Sequence, residues 1–413
     1  MKESFIHKTT CRICKSFDLV RILDLGEMPL ANAFLKKEDL DKPETKFPLA
    51  VYFCKSCGLL QLLDVVNPEI LFRHYYYLTS TSKPLADHFV ELGKNLVDRF
   101  VESKNDLVLE IGGNDAVLLD SVKNRCQVLN IEPARNIAKI SREKGIDTID
   151  EFFSLELAKR ILKEYGFAKV ITASNVIAHI DDLDDVFEGV KILIGTKGVF
   201  VFEVHWVGNL MGLVDIGGFD QIYHEHLSYF SLSALKKLVN QFGLEIFDVK
   251  LIPVHGQSLQ VYISKNYEVS ESVNKFLEKE KSLGLDKIET YVNFAEKVEK
   301  NKKELRNLLS KLKKENKKIV GYGAAAKGNT LLNYFQIDNK ILDFIVDDSP
   351  LKQGLYTPGT HIPIFSPDRL KENRPDYLLL LAWNYAESIL KKEQKLRNNG
   401  VKFIIPVPKV KIV

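Results

Sequence analysis

Between residues 107 and 205 the hydrophobic positions alternate between short apolar runs and amphipathic stretches. The runs LVLEIG, VLNIEP, KVITASNV and GVFVFEVH have the length of buried strands, and the segments between them carry apolar residues at helical spacing. Strands that alternate with helices predict an α/β unit on a mostly parallel sheet. Beyond it, ALKKLVNQFG predicts a helix and LEIFDVKLIPVHGQSLQVYIS predicts two successive strands.

A second alternation of strand and helix patterns begins at residue 319. It runs through KIVGYGAAAKGNTLLNYF, LDFIVDD, DYLLLLAWN and VKFIIPVP, which predicts another open α/β unit. Residues 268–316 lack strand patterning and are rich in Lys and Glu, a composition typical of long helices with a solvated face.

Composition and charge exclude several classes of protein. The chain has 413 residues, of which 45% are hydrophobic and 27% charged, as in globular proteins of several domains. The net charge of +3 is too small for a broad nucleic-acid surface. Uninterrupted apolar runs are too short to cross a membrane, and the N-terminus lacks the apolar core of a secretory signal. We expect a cytoplasmic protein without a membrane or nucleic-acid partner; the oligomeric state stays open, and a monomer is compatible with the sequence.

Four of the five cysteines form two C-x-x-C pairs, Cys11 with Cys14 and Cys54 with Cys57, separated by 39 residues. An odd cysteine count in a chain without a secretory signal argues against a disulfide framework. Two such pairs can complete a tetrahedral zinc site, and Gly58 supplies the left-handed residue that zinc ribbons often need. Because protein would fill all four positions, such a zinc ion would be structural. The alternative is four buried thiols without metal.

The segment LVLEIGGNDAVLLDSV predicts a strand, a turn at Gly112 and Gly113, and a helix. The next strand ends in Glu132, where an acid can accept hydrogen bonds from both hydroxyls of a ribose. A later strand of the same sheet ends at Asn175, beside the same crevice. The dinucleotide fingerprint G-x-G-x-x-G is missing. The pattern is closer to class I methyltransferases that bind S-adenosylmethionine; an NAD site and a turn without ligand are the alternatives.

A polar run, Tyr223, His224, Glu225 and His226, follows a glycine-rich loop. Histidine titrates near neutrality and can accept and return protons. In one helical turn Tyr223 and His226 would share a face, while Glu225 could orient an imidazole or bind a substrate hydroxyl. His179 follows a strand and should open onto the same sheet edge. The alternatives are a solvated turn and a structural histidine.

The turn in KIVGYGAAAKGNT carries small residues that let a ligand approach a helix N-terminus, whose amides suit a phosphate. Lys327 adds a positive charge, and later strand ends carry Asp347, Asp348 and Asn384. A diphosphate-linked substrate would suit this unit, together with the aromatic and hydroxyl-rich segment 75–82. Close packing of helix on strand without ligand is the alternative. The expected substrate-binding residues are Tyr77, Ser80, Glu203, Lys327 and Asn384.

The cysteine pairs are followed in order by EIGGNDA, YHEH, VHGQSLQVY, GYGAAAKGNT, TPGTHIPI and AWNYA. This order of motifs resembles that of the nucleotide-sugar C-methyltransferases over nearly the whole chain. The resemblance implies a zinc ribbon-like domain at 1–75, a class I methyltransferase domain at 76–264, and a helical plus Rossmann-like domain that binds the nucleotide sugar at 265–413. It places the active site between the last two. It also implies S-adenosylmethionine, structural Zn²⁺, and a nucleoside-diphosphate 4-keto-deoxysugar methylated at C-3.

The residues that match the family's motifs fall into three sets. The metal ligands are Cys11, Cys14, Cys54 and Cys57. The cofactor-binding residues are Gly112, Asn114, Asp115 and Glu132, to which Asn175 is added from its strand-end position. The catalytic residues are His226, Tyr223, Glu225 and His179. Two positions depart from the family pattern: Ala116 stands where the loop usually has a third glycine, and His224 where relatives often have an acid.

The implied reaction begins with loss of a proton from the carbon next to a ketone, which leaves an enolate that attacks the methyl group in line. We assign His226 as the base, Tyr223 and His179 as enolate donors or proton relays, and Glu225 as the holder of the histidine or of a sugar hydroxyl. Tyr223 and His226 could exchange roles. The alternatives are O-methylation of a nucleotide sugar or glycan, a non-catalytic nucleotide-sugar-binding protein, and an NAD-dependent sugar oxidoreductase.

Overall fold

The computed structural model describes residues 4–75, 78–213 and 217–413 and divides into two compact units. Unit 1 contains the described residues within Met1–Val20, Cys54–Val207 and Leu227–Asp286. Unit 2 contains those within Arg21–Phe53, Gly208–His226 and Lys287–Val413. Each unit combines helices with a largely parallel sheet, so the predicted α/β class is confirmed.

The strands of the described residues are β1 (Phe5–His7), β2 (Leu19–Pro29), β3 (Lys46–Cys54), β4 (Leu60–Leu62), β5 (Asp64–Val66), β6 (Leu107–Ile111), β7 (Gln127–Ile131), β8 (Thr148–Ile149), β9 (Ala168–Ser174), β10 (Val199–His205), β11 (Ser228–Tyr229), β12 (Glu245–Ile252), β13 (Ser258–Ser264), β14 (Ile319–Tyr322), β15 (Ile345–Val346), β16 (Ile364–Phe365), β17 (Tyr377–Leu380), β18 (Lys402–Ile405) and β19 (Lys411–Ile412). Their α-helices are α1 (Pro68–Phe72), α2 (Lys83–Phe100), α3 (Val117–Val122), α4 (Arg135–Glu143), α5 (Leu155–Tyr165), α6 (Leu183–Ile194), α7 (Val207–Leu210), α8 (Leu232–Asn240), α9 (Glu271–Ser282), α10 (Ile288–Lys314), α11 (Ala326–Phe335), α12 (Arg369–Glu372), α13 (Ala386–Lys392) and α14 (Gln394–Asn398). Within the described residues no helix is both long and apolar enough to span a membrane.

The main sheet of unit 1 has the strand order β12-β13-β10-β9-β6-β7-β8. Strands β10, β9, β6, β7 and β8 run parallel, and β13 pairs antiparallel with both β10 and β12. Every residue of β6 is buried, as expected for a strand covered by helices on both faces. Because the carboxyl ends of parallel strands meet at one edge, the turns after β6, β7, β9 and β10 share the same edge of the sheet.

The sheet of unit 2 has the order β16-β15-β14-β17-β18-β19, parallel except for β19. The earlier strands β2 and β3 are neighbours in a different sheet. The predicted helical region at 268–316 forms α9 and α10. Residues that follow β2 bind the C-terminal part of the unit: the Asn329 side chain donates to the Ala31 carbonyl at 2.7 Å, and Leu35 pairs with Tyr356.

The two compact units group the chain differently from the three predicted domains. Residues 21–53, which lie between the two cysteine pairs in sequence, and residues 208–226 belong to unit 2. The Glu44 carboxylate shows why, since it accepts hydrogen bonds from the Gly359 amide at 2.8 Å and from His361 at 2.7 Å. The boundaries at 75 and 264 stay a prediction.

Candidate functional site

The four paired cysteines come together in unit 1. Their sulfur atoms all lie within 4.8 Å of one another, with Cys11 Sγ 3.4 Å from Cys57 Sγ and Cys14 Sγ 3.5 Å from Cys54 Sγ. Left-handed backbone follows both pairs, at Lys15 (φ 58°) and at Gly58 (φ 82°), the latter as predicted. Four sulfurs at these distances surround a point from which each can bind zinc at about 2.3 Å. The donor set fits Zn²⁺ and leaves no position for a substrate.

Arg12, which stands inside the first cysteine pair, links this cluster to the predicted catalytic segments. Its buried guanidinium donates to the carbonyl of Leu227 at 3.1 Å, and Leu227 directly follows His226 in the chain. The amide of Leu227 donates in turn to the carbonyl of Ala178 at 2.8 Å, next to His179. The folded cysteine cluster therefore fixes the backbone of unit 1 at Leu227 and Ala178.

The turn between β6 and α3 needs its two glycines for different reasons. Gly112 has φ +66°, and a Cβ there would lie 2.5 Å from Val176 Cγ2. Gly113 has no room for a side chain, because a Cβ there would lie 2.4 Å from Asn130 Oδ1 and 2.8 Å from Glu110 Oε2. Packing within the turn therefore requires glycine at both positions.

The predicted ribose acid, Glu132, lies at the end of β7 and binds the same turn. Its Oε2 accepts a hydrogen bond from the Asn114 amide at 2.9 Å, and its Oε1 accepts one from the Ala134 amide at 2.8 Å. Burial raises the pKa of Glu132 to about 7. Each carboxylate oxygen has a second lone pair with which it can accept a bond from a ribose hydroxyl. Asn175 follows β9 with φ 58°, at the same sheet edge.

Buried carboxylates make this edge suitable for a cation. Burial raises the pKa of Glu110 well above its ordinary value, and the charges of Glu132, Asp115 and Glu203 raise it further. Glu110 Oε2 and Asp115 Oδ1 are buried without a hydrogen-bond partner among the described residues. A ligand with a sulfonium and an ammonium group would offset this crowding of negative charge. The predicted cofactor residues therefore fit S-adenosylmethionine.

The polar run in unit 2 forms a turn rather than a helix. The His226 amide donates to the Tyr223 carbonyl at 2.9 Å, and the two rings lie with centroids 4.0 Å apart. The pair shares a face, as the spacing of three residues predicts. His226 Nδ1 is 2.7 Å from the carbonyl oxygen of Gln221. A carbonyl can only accept, so Nδ1 carries the proton and Nε2 carries the lone pair.

Burial lowers the pKa of His226 to about 4, against an ordinary value of 6.5, and the bond to Gln221 opposes the shift only weakly. The imidazole is therefore neutral at cell pH. A neutral, buried imidazole whose Nδ1–H is fixed by a carbonyl presents Nε2 as a base of defined orientation.

The two residues between Tyr223 and His226 face different partners. Glu225 Oε1 accepts a hydrogen bond from the side-chain amide of Asn32 at 2.7 Å. His224 is buried, and its Nε2 donates to the Phe47 carbonyl at 3.2 Å. An ionised acid at position 224 could not donate to this carbonyl, which gives the departure from the family pattern a structural reason. His179, in unit 1, stacks on Phe72 with ring centroids 5.6 Å apart.

Lys327 and Asn384 contact each other in unit 2, at the start of α11 and after β17. The Lys327 ammonium lies 4.4 Å from the ring centroid of Trp383, whose Nε1 donates to Asp220 at 2.6 Å. Desolvation lowers the pKa of Lys327 to about 8, although the Asp220 carboxylate opposes the change. Burial raises the pKa of Asp220 to about 6. This cluster joins the glycine-rich loop before Tyr223 to the C-terminal sheet.

The turn after β14 is occupied from within the chain. Asp347 Oδ2 accepts a hydrogen bond from the Ala324 amide at 2.6 Å, and Lys352 donates to the Ala324 carbonyl at 2.8 Å. The amide of Ala324, two residues before the start of α11, thus already has an anionic partner.

Two other predicted substrate-binding residues, Ser80 and Glu203, are in unit 1. Ser80 is exposed in a short turn of 3-10 helix, and Tyr77 lies outside the described residues. Glu203 is buried in β10 and contacts His88 and Gln260.

Sequence reasoning missed five residues that hold the site: Arg12, Asn32, His88, Asp220 and Trp383. Asn32 and Glu225 are 193 residues apart, and Trp383 and Asp220 are 163 apart, so no local pattern marks either pair. The position of Arg12 between two metal ligands is the one signal that could have been read from the sequence.

Family models match the chain in three consecutive segments. Residues 11–72 match a zinc binding domain, residues 86–249 a methyltransferase domain, and residues 253–408 a C-methyltransferase C-terminal domain. C-methyltransferase NovU from Streptomyces niveus is 36% identical over 407 residues, which cover 98% of this chain and 96% of that protein.

Solved structures with partial similarity include two methyltransferases. Magnesium protoporphyrin IX methyltransferase (ChlM) from Synechocystis PCC 6803 with bound SAM has a TM-score of 0.32 and 10% identity, covering 44% of this chain and 79% of its own. A SAM-dependent methyltransferase from Anabaena variabilis has a TM-score of 0.32 and 14% identity, covering 41% of this chain and 82% of its own. Assignment rests on the family models and on NovU: the chain belongs to the C-methyltransferases, and it is an S-adenosylmethionine-dependent enzyme with a zinc-binding domain.

Proposed function

We propose that the enzyme methylates a nucleoside-diphosphate 4-keto-deoxysugar at C-3. The observation that carries this proposal is the state of His226, a buried neutral imidazole whose Nδ1–H is fixed to the Gln221 carbonyl. Methyl transfer to carbon needs a base that can remove a carbon-bound proton, and a fixed imidazole with its lone pair on Nε2 is such a base.

Proton removal from C-3 is made possible by the neighbouring ketone, because the enolate spreads its charge onto oxygen. In our proposal His226 Nε2 takes the proton as the carbon–hydrogen bond breaks. The Tyr223 hydroxyl donates to the developing oxyanion or relays the proton, since its ring is 4.0 Å from that of His226. Glu225, held by Asn32, binds a sugar hydroxyl or orients the histidine. His179 serves as a further donor or relay.

When bound, S-adenosylmethionine would supply an electrophilic methyl group for the enolate carbon and would leave as S-adenosylhomocysteine. We assign its binding to the backbone of Gly112 and to Asn114, Asp115, Glu132 and Asn175. Crowding of buried carboxylates around Glu110 supports this assignment, because the cofactor is a cation. Glu132 would accept bonds from the ribose hydroxyls while keeping its bonds to the Asn114 and Ala134 amides.

We assign the diphosphate end of the substrate to Lys327 and Asn384 and other substrate contacts to Ser80 and Tyr77. Glu203, whose buried carboxylate bonds to His88, is assigned an indirect part in substrate binding. With a pKa of about 8, Lys327 is mostly charged at pH 7 and can pair with a phosphate oxygen. Since the Ala324 amide is bonded to Asp347, we expect the phosphate contact to come from the side chains.

The test follows the C-3 proton. A panel of nucleoside-diphosphate 4-keto-6-deoxyhexoses is incubated in deuterated water with the zinc-loaded enzyme, first without and then with S-adenosylmethionine. We expect exchange at C-3 without the methyl donor and a carbon-bound methyl group with it. His226→Asn should abolish both, because its amide can keep the bond to Gln221 but has no basic Nε2. Methyl transfer to oxygen without exchange, or binding without turnover across the panel, would contradict the proposal.

A further inference from the structure

Four polar side chains form a line of hydrogen bonds from β13 through β10 to α2 in unit 1. Tyr262 donates from its hydroxyl to Gln260 Oε1 at 2.5 Å, and Gln260 Nε2 donates to Glu203 Oε1 at 2.8 Å. The Glu203 carboxylate is buried, and both of its oxygens lie near His88 Nε2, at 2.9 and 3.1 Å. Three of the members stand on the adjacent strands β10 and β13, and His88 stands on α2.

The direction of every bond in this line can be deduced. A carboxylate needs donors, so the Gln260 amide must point its nitrogen at Glu203, which leaves its oxygen to accept from Tyr262. For the same reason His88 Nε2 carries a proton and donates to Glu203. In the neutral imidazole the lone pair is then on Nδ1. Tyr262 thus fixes the Gln260 amide, Gln260 fixes the carboxylate, and the carboxylate fixes the tautomer and orientation of His88.

His88 differs from a histidine that only fills the core. Its side chain keeps 20% of its surface exposed, against 1% for Glu203. Its Nδ1 makes no hydrogen bond to any of the described residues. A buried, doubly supported carboxylate that orients a partly exposed imidazole is the arrangement that proteins use to hold a histidine for contact with a ligand.

The position of the pair in the sheet indicates which ligand it meets. Glu203 pairs with Ser174 near the carboxyl ends of β10 and β9, and its carbonyl accepts from the Asn175 amide at 2.8 Å. The Glu203 charge also acts on Glu110, at the cofactor turn. Four of the proposed cofactor residues follow β6 and β7, and Asn175 follows β9, whereas Glu203 lies on β10, on the other side of β9 from β6. His88 therefore contacts the part of this sheet that the residues after β6 and β7 leave to the acceptor.

We propose that His88 is a substrate-binding residue, whose Nδ1 accepts a hydrogen bond from a hydroxyl group of the acceptor. Glu203, Gln260 and Tyr262 act through it as positioning residues. The inference rests on the proposed function in one respect, namely that the acceptor is a sugar with free hydroxyls.

The test compares His88→Gln with the wild-type enzyme. Glutamine can place an amide nitrogen near the former Nε2 and keep the bond to Glu203, but it has no acceptor where Nδ1 stood. We expect KM for the 4-keto sugar nucleotide to rise about tenfold, the effect of one lost hydrogen bond, while kcat changes less than threefold. Affinity for S-adenosylmethionine, measured by calorimetry, should stay the same. Glu91→Gln, an exposed change on the same helix, is the matched control.

Glu203→Gln tests the positioning role separately. It keeps the shape of the side chain but removes the acceptor that fixes the tautomer, so KM should rise again with little change in thermal stability. An unchanged KM in His88→Gln, or a loss of S-adenosylmethionine affinity instead, would overturn the inference. Calorimetric titration of the sugar nucleotide gives the same comparison without turnover. Wild-type methylation of the panel tests the proposed function alone, so the two failures are distinguishable.

Discussion

The side-chain amide of Asn32 donates a hydrogen bond to Glu225 Oε1 at 2.7 Å, although 193 residues separate the two in sequence. Asn32 follows β2, and Glu225 is the third residue of the polar turn. Both belong to unit 2, where Asn329 also binds the neighbouring Ala31. A residue close in sequence to the zinc ligands thereby sets the orientation of a proposed catalytic carboxyl group.

Asn32→Ala should lower kcat by about 10- to 100-fold, the range for a lost hydrogen bond to a charged group. Asn32→Asp should lower it further, because a second carboxylate beside Glu225 adds repulsion to the loss of the donor. Steady-state kinetics with the 4-keto sugar nucleotide check both, and zinc content and melting temperature control for folding. Wild-type activity in both variants would show that Glu225 does not depend on Asn32.

The pH profile should place the ionisation of His226 far from that of an ordinary histidine. Because its pKa is lowered to about 4, the base is unprotonated above that pH, and kcat/KM should fall only as pH approaches 4. His226→Asn should reduce the rate by about 10²–10⁴. Measurement of kcat/KM from pH 4 to 8 tests this prediction. An acid limb centred near pH 6.5 that persists at saturating S-adenosylmethionine, where ionisation of Glu132 no longer governs cofactor binding, would assign proton abstraction to a different group.

Ala116 has φ 57°, a left-handed conformation that costs a residue with a Cβ roughly 1–2 kcal/mol. Ala116→Gly should therefore change the free energy of unfolding by less than about 1 kcal/mol, since relief of strain offsets the lost methyl group. Ala138→Gly is the matched control: this alanine is equally buried, but it lies in α4, where glycine costs about 1 kcal/mol in addition. Chemical denaturation that shows equal losses would contradict the strain at Ala116.

The purified enzyme should contain one zinc ion per chain. Cys11→Ser or a strong chelator should unfold the N-terminal part of unit 1 before any specific effect on chemistry, because the binding energy of a structural zinc ion is folding energy. Elemental analysis measures the zinc content, and circular dichroism measures the loss of folded structure. Cys126→Ser, which alters a buried cysteine outside the cluster, should keep full zinc content. Zinc-free protein that is folded and active would show that zinc is not a structural metal of this enzyme.

The parts that could be predicted from the sequence are those that short segments determine. The cysteine pairs, the turn at Gly112, and the spacing of Tyr223 and His226 each fit within a few residues. Hydrogen bonds such as those of Trp383 with Asp220 and of Arg12 with Leu227 form only in the folded protein. They could not be predicted, because the residues next to either partner in the sequence do not mark it. The turn after β14 contains another bond of this kind: the Ala324 amide donates to Asp347, 23 residues away, which the glycine-rich pattern alone does not indicate.

Residues 21–53 belong to unit 2, and they are inserted between the two halves of the zinc site. A truncated protein that begins at residue 265 would consequently lack two of the three segments that build its own unit. It would expose the surfaces that Ala31, Glu44 and Asp220 now cover, and we would expect it to aggregate. For protein engineers, grafting the C-terminal domain of a relative onto this enzyme to change its substrate requires exchanging the inserted segment and residues 208–226 along with it.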